Sequence, residues 1–371
     1  MTKLLPTTRC WAEIDLEALR QNARMTQERV GATVKLLAVV KANAYGHGLA
    51  EVVRALQDEA QLFGVANLEE ALEARAVTPH PIVILGPALP SERRAIVTGG
   101  FIATISSLAE AREFSRLAAD SFVSVNFAID TGMGRMGAEE TSAAAVLGAL
   151  ADLPNVRLHS VSTHLPSADE DVIYTTGQLA RFERLLQDAR AGSGNAASYL
   201  VHVLPSAGVL NFSKSAYDIV RAGLMLYGAS PNPQFQHLLR PVMALKTRVA
   251  LVREIAAGAS VSYGRTFLAP RAMRVATLSA GYADGIPRSI SNREGAVLIG
   301  GRRCPLLGRV TMDLTMADVS EVPEVAPGDE AVLIGRQGDE EILAAEVAER
   351  AGTITWEVFT GIGSRAARVY L

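Results

Sequence analysis

LLAVVKANAYGHG, residues 36–48, begins with five apolar side chains and then breaks at Lys41 into small and polar residues. A short, unbroken aliphatic run of this kind reads as a strand buried on both faces, as parallel strands are. Lys41 then sits where the chain leaves the core. Desolvation there disfavours the ammonium and draws its pKa down toward the nucleophilic amine that Schiff-base chemistry needs. A lysine at a strand end also snorkels its charge into water, so the segment alone fits both readings.

Similar runs recur outward from this one. Strands are expected at 36–40, 62–65, 82–85, 101–104, 122–127, 158–163, 199–204 and 217–220. Between them lie segments of helical period such as LAEVVRALQDEA, LEEALEARA, SLAEAREFSRLAA and EETSAAAVLGALA. Strands alternating with amphipathic helices predict a parallel sheet, and eight strands is the number that closes a (β/α)8 barrel. An open doubly wound sheet needs a topological switch point, and none is visible.

After Pro241 the texture changes to VALVREI, VSYG, MRVATLSA, GAVLIG and EAVLIG, short strands punctuated by turns, with one helix expected in EILAAEVAERAG. The expected division is an α/β barrel over 12–240 and a mainly β domain over 241–371 that also takes in residues 1–11. The similar AVLIGG and AVLIGR at 296 and 331 are too short to call a repeat, and two edge hairpins account for them equally well.

The 371 residues suit two domains, and a hydrophobic fraction of 49% can fill a sizeable core. A net charge of -3 gives no reason to expect nucleic acid or an anionic membrane as partner. Cys10 and Cys304 lie far apart with no metal-ligand spacing, so neither a disulfide framework nor a metal site is expected. With no apolar run near the roughly 20 residues a membrane helix needs, a cytoplasmic protein is expected.

In a barrel the site forms at the carboxyl ends of the strands, and phosphate commonly binds after strands seven and eight. Here those loops are Pro205-Ser206-Ala207-Gly208 and Arg221-Ala222-Gly223-Leu224. The first offers a hydroxyl and free N–H groups at a helix start, although Ser206 could equally be a simple cap. The second offers a glycine that lets backbone approach a ligand. Closure brings both beside Lys41. An amine with a phosphate cradle suggests pyridoxal phosphate, and a sugar phosphate aldolase would satisfy the same two features.

VVKANAYGHG at 39, DTGMGRMG at 130, STHLPSADE at 162, RAGLMLYG at 221, VSYGRTF at 261, GYADGIPR at 281, GRVTMD at 308 and GTITWE at 352 occur in order over nearly the whole chain. In these motifs the chain resembles the bacterial alanine racemases, barrel-type enzymes that use pyridoxal 5'-phosphate. The resemblance implies a homodimer with shared sites, acting on L-alanine and D-alanine and supplying D-alanine for peptidoglycan.

The resemblance also implies roles. Lys41 would hold the cofactor and act as base on one face of the substrate, with Tyr263 of the other subunit as base on the opposite face. Arg221 would donate to the pyridine nitrogen, with His164 beside it. Tyr45, Ser206, Gly223, Leu224 and Trp356 would hold the phosphate. Arg135 and the backbone N–H of Met312 would take the substrate carboxylate, and Tyr282, Arg288, Arg309 and Ile354 would line the access corridor.

Three positions depart from the family pattern. Ala128 stands where many members carry a lysine, often carbamylated, that orients the arginine of DTGMGR; alanine leaves Arg135 to another partner, such as a bound anion or water, or less firmly held. Pro205 replaces a usual asparagine, and both changes are expected to raise KM for alanine. Trp356 replaces a usual tyrosine; its indole donates a hydrogen bond but accepts none, and its bulk bears on substrate breadth. These departures keep open a serine or broad-specificity racemase; the alternatives from other classes are a barrel-type amino-acid decarboxylase and a non-catalytic pyridoxal phosphate-binding protein. The last lacks a C-terminal β domain, which weighs against it here.

Overall fold

The computed structural model describes residues 7–119, 121–192 and 199–371. Residues 1–6, expected to accompany the C-terminal domain, lie outside the described residues. The chain divides into two compact units. One comprises Leu19–Ala44 and Leu49–Leu239; the other comprises Arg240–Leu371, Tyr45–Gly48 and the described residues up to Ala18.

The first unit is the expected barrel. Its eight parallel strands are Lys35–Val39, Leu62–Val65, Ile82–Pro87, Ile102–Ile105, Val123–Asp130, Val156–Ser162, Leu200–Pro205 and Ile219–Ala222. Each pairs with the next, and the ring closes where the eighth meets the first, with Arg221 opposite Leu37 and Ala222 opposite Ala38. The strands are mostly buried because helices cover the sheet outside and side chains fill it inside. All eight carboxyl ends open on one rim, so Lys41, Arg135, His164, Ser206 and Arg221 come to it from distant parts of the sequence.

The second unit is mainly β. Met243–Ile255, Met273–Leu278, Thr315–Asp318, Arg302–Leu307, Ala296–Ile299 and Glu330–Gln337 follow one another in a sheet that returns on itself, because Glu330–Gln337 also pairs with Met243–Ile255. Along Met243–Val249 alternate residues are buried, the period-two signature of a half-covered strand. Each AVLI segment opens a hairpin, the first with Arg302–Leu307 inside the sheet and the second with Glu340–Ile342 at its edge. The two segments are neighbouring strands, with Leu298 opposite Val332. The helix expected in EILAAEVAERAG covers Ala344–Ala351, and a second helix, Thr355–Gly361, carries Trp356. No helix among the described residues is long and apolar enough to cross a membrane.

Candidate active site

The barrel rim begins with the chain just past Lys41. Ala42, Asn43, Ala44 and Tyr45 all have φ between 52° and 54°, four consecutive non-glycine residues in left-handed conformation. Each costs about 1–2 kcal/mol relative to a right-handed turn, so the surroundings must hold them. The carboxylate of Glu70 does part of this, accepting from Ala42 N at 2.7 Å and Ala66 N at 2.8 Å and so tying the ends of the first two strands together. Asn43 Oδ1 accepts from Leu49 N at 2.8 Å at the far side of the turn. Tyr45 ends the turn buried, and burial alone pushes its phenol up to about 12.

Lys41 is partly exposed, and its pKa is lowered, first by burial and then by the positive charge of Arg135 and of Arg221, with Glu70 opposing. The lowering shifts the balance toward the free amine, the form that is nucleophilic. Arg221, from the eighth strand, is buried and pinned. Its Nη1 donates to His202 Nδ1 at 2.6 Å and His202 O at 2.9 Å; Nη2 donates to Thr163 O at 2.8 Å, Val203 O at 3.1 Å and His164 Nδ1 at 3.2 Å. Its Nε–H has no acceptor among the described residues and is not sealed from solvent. Burial and Arg135 bring the guanidinium down only to about 10, so it is charged at neutral pH.

A guanidinium only donates, which fixes both histidines as acceptors at Nδ1 and puts their protons on Nε2. Burial, then Arg221, Arg135 and Lys41, lower His164 to about 3, so it is neutral. His202 is fully buried and lowered well below its ordinary range, first by burial and then by Arg221. Its Nε2 meets Ser160 Oγ at 3.3 Å; Ser160 donates to Asn126 Oδ1 at 3.0 Å, and Asn126 Nδ2 donates to Ser162 Oγ at 3.0 Å and Thr104 Oγ1 at 3.2 Å. This polar belt crosses strands four to eight inside the barrel and ends on Arg221. Sequence reasoning missed it. The available signal was a histidine inside the apolar run LVHVLP.

Ser206 Oγ accepts from Gly223 N at 2.9 Å and Met225 N at 3.3 Å, which locks the loops after strands seven and eight to each other. Ser206 opens one helix and Leu224 opens a 3-10 turn, so their own N–H groups have no partner within those turns. Ala128 lies buried in the fifth strand opposite Ser162, and Pro205 ends the seventh opposite Arg221. Arg135 is exposed and makes no hydrogen bond or ion pair among the described residues.

The remaining expected residues belong to the other unit. Tyr263 sits at the turn of a hairpin, Ser260–Val261 against Phe267–Leu268, and is 71% exposed. The hairpin is anchored beneath by Val261, Phe267 and Ala269 packed on Met273, Val275, Leu307 and Met316. Arg309 lies against the same turn: a Cβ on Gly264 would come within 2.9 Å of its Nη1. The segments carrying Tyr282 and Met312 are laced together by Tyr282 N to Thr311 O and Ala283 N to Met312 O, both 3.0 Å. Gly281 permits this, because a Cβ there would sit 2.3 Å from Thr311 O. Arg288 and Ile354 are exposed, and Trp356 is half-buried with no acceptor for its indole N–H among the described residues.

The residues present suit pyridoxal phosphate: a neutralisable amine, a buried guanidinium with one donor left over, and unpartnered N–H groups at two turn starts. Known proteins agree. The sequence matches the family description "Alanine racemase, N-terminal domain" over residues 14–231 and "Alanine racemase, C-terminal domain" over residues 242–370. It is 40% identical to the alanine racemase of Halothermothrix orenii, over 97% of this chain and 96% of that protein. The crystal structure of alanine racemase from D-cycloserine producing Streptomyces lavendulae superposes with a TM-score of 0.90 at 37% identity, covering 98% of this chain and 97% of that one. The alanine racemase of Bartonella henselae, solved with covalently bound pyridoxal phosphate, gives 0.89 at 29% identity, covering 98% and 99%. With both domain descriptions matched in order and relatives similar from end to end, this chain belongs to the alanine racemase family.

Proposed function

We propose that the protein interconverts L-alanine and D-alanine with pyridoxal 5'-phosphate, through two bases on opposite faces of the substrate α-carbon. The observation that carries the reading is the cluster of Lys41, Arg221 and neutral His164 on the barrel rim. Bound on Lys41, the cofactor supplies an electron sink for the pair left when the α-proton is removed.

The chain's own groups do the rest. Lys41, its pKa lowered by burial and by Arg135, serves as the base on one face, taking and returning the proton through its amine. Tyr263 serves the opposite face. A phenolic base needs a donor that stabilises its anion, and the Nε2–H of His164 is such a donor. Arg221 offers Nε–H to the pyridine nitrogen and, keeping its own proton, leaves that nitrogen unprotonated, which restrains side reactions. Ser206, Tyr45, the backbone of Gly223 and Leu224 and the indole of Trp356 cradle the phosphate. Arg135, whose guanidinium is unclaimed, and Met312 N–H receive the substrate carboxylate. Tyr282, Arg288, Arg309 and Ile354 line the corridor. Exposed Tyr263, Leu268, Met312 and Leu314 on one unit support a homodimer in which Tyr263 and Met312 complete the partner's site.

A second reading, a racemase of broader specificity, rests on Trp356 and on the rebuilt surroundings of Arg135. Chiral analysis after incubation of the cofactor-loaded protein with L-alanine and, separately, L-serine decides between them. D-alanine alone supports the narrow enzyme, comparable D-serine the broad one, and neither product sinks both. Lys41→Ala should lose the near-visible absorbance of the covalently held cofactor. Tyr263→Phe should keep that absorbance and lose proton abstraction from L-alanine far more than from D-alanine; equal losses exclude the two-base assignment.

A further inference from the structure

Arg135 stands on a loop held at several backbone N–H groups, while its own guanidinium makes no hydrogen bond among the described residues. The carboxylate of Asp130 accepts from the N–H groups of Gly132 at 2.9 Å, Met133 at 2.8 Å and Gly134 at 2.9 Å, and Gly137 N donates to Ser106 Oγ at 3.0 Å. Gly132, Gly134 and Gly137 have φ of 134°, 69° and 116°, so the loop needs glycine at all three.

A single face of the helix Val172–Gly192 grips this loop. Tyr174, Gln178 and Arg181 are spaced four and three apart and therefore align on one side. Tyr174 Oη donates to Gly132 O at 2.9 Å, and a Cβ on Gly132 would lie 2.0 Å from that hydroxyl, so the contact exists only with glycine there. Gln178 is fully buried; its Nε2 donates to Thr131 Oγ1 at 2.8 Å and to His164 O at 2.9 Å. Arg181 Nη2 donates to Thr131 O at 2.7 Å while its Nε meets Glu140 at 3.2 Å. Thr131 Oγ1 in turn meets Thr163 Oγ1 at 2.7 Å, joining the ends of strands five and six.

We propose that the Tyr174–Gln178–Arg181 face is the positioning device for Arg135, and that it sets affinity for the substrate carboxylate through the main chain of the 130–137 loop. Ala128 has no side-chain donor or acceptor with which to orient the guanidinium directly, so the backbone beneath it is what is held. The proposal rests on the reading of Arg135 as the carboxylate-binding group. Loosening the loop weakens a contact made equally with bound substrate and with the transition state, so the loss falls on KM and spares kcat. Gln178 differs from its neighbours, because it also holds the carbonyl of His164, and its loss reaches kcat.

The test compares cofactor-loaded Tyr174→Phe, the double variant Y174F/R181M, Arg135→Lys and Tyr217→Phe. Tyr217 donates to Glu183 on the same helix, away from the loop, and serves as the control. KM and kcat are measured for both alanine enantiomers, with inhibition by propionate as a carboxylate without an amine, thermal midpoint and cofactor absorbance. Tyr174→Phe is expected to raise KM and the propionate inhibition constant together, by about three- to tenfold for one lost hydrogen bond, with kcat and absorbance unchanged. The double variant should raise both further, and Tyr217→Phe should leave them as they are. An unmoved KM in Tyr174→Phe and Y174F/R181M, with KM raised in Arg135→Lys, overturns the positioning role and leaves the carboxylate reading standing. Unmoved KM and propionate binding in Arg135→Lys overturn that reading instead. A fall in kcat and thermal midpoint without a change in KM marks the helix face as structural only.

Discussion

Acid should destabilise this protein earlier than its carboxylates alone would dictate, and His164 gives the size of the effect. Its ordinary value is 6.5 and the folded state lowers it to about 3, through burial first and then the charges of Arg221, Arg135 and Lys41. Between those values the unfolded chain binds a proton that the folded chain refuses, so stability is full above 6.5 and is lost as pH falls toward 3. Lowering the pH from 7.5 to 5 should remove about 2 kcal/mol through this residue, since each pH unit below the unfolded value is worth about 1.4 kcal/mol. His202, lowered by burial and Arg221, acts in the same sense. The assay is urea unfolding of the cofactor-loaded protein at fixed concentration across pH 5–7.5, comparing wild type with His164→Asn, whose amide oxygen can still accept from Arg221. The variant should lose about 2 kcal/mol less than wild type over that interval. Parallel pH profiles for the two proteins would refute the reasoning, because His164 would then titrate alike in both states.

Arg221→Lys offers three donors in place of a planar fork and strands several of the five acceptors now held; activity should fall at least tenfold with an altered cofactor absorbance, and wild-type values would contradict this. Gly281→Ala forces a methyl against Thr311 O and Met312; it should cost about 2–3 kcal/mol in a denaturant melt and raise KM for alanine by displacing Met312 N–H. Trp356→Ala should widen substrate range toward serine in the chiral assay if indole bulk sets the limit; an unchanged product spectrum rules that out. Ala42→Gly should raise the thermal midpoint modestly, since glycine removes a left-handed penalty of about 1 kcal/mol, and a lower midpoint would show that the turn is not strained there.

The barrel was legible because its eight strands are short aliphatic runs bounded by turns, and most lie within two residues of where periodicity put them. What periodicity cannot carry is conformation within a motif. Ala-Asn-Ala-Tyr reads as ordinary helix-forming sequence, yet it winds left-handed because Glu70 and Asn43 hold its ends. Thr355–Gly361 escaped because a seven-residue helix shows barely two turns of pattern. In the site, Lys41, Arg221 and Ser206 stand at strand ends where the barrel rule looks. His202, Ser160 and Asn126 do not, since their meaning lies in partners on other strands. Gln178 was invisible for the same reason: one glutamine in a long helix says nothing until Thr131 and His164 are brought to it.

The strand Cys10–Ile14 lies between Met243–Ile255 and Ala367–Tyr370, with Trp11 opposite both Lys246 and Ala367. During synthesis this largely buried strand precedes the barrel, and its partners follow only after the whole barrel has left the ribosome. It is the segment a chaperone has most reason to hold. Expressing residues 241–371 alone should therefore give an incomplete, aggregating sheet with two unpaired edges, and supplying residues 7–18 in the same polypeptide, fused after Leu371 through a flexible linker, is the rational way to obtain that domain by itself.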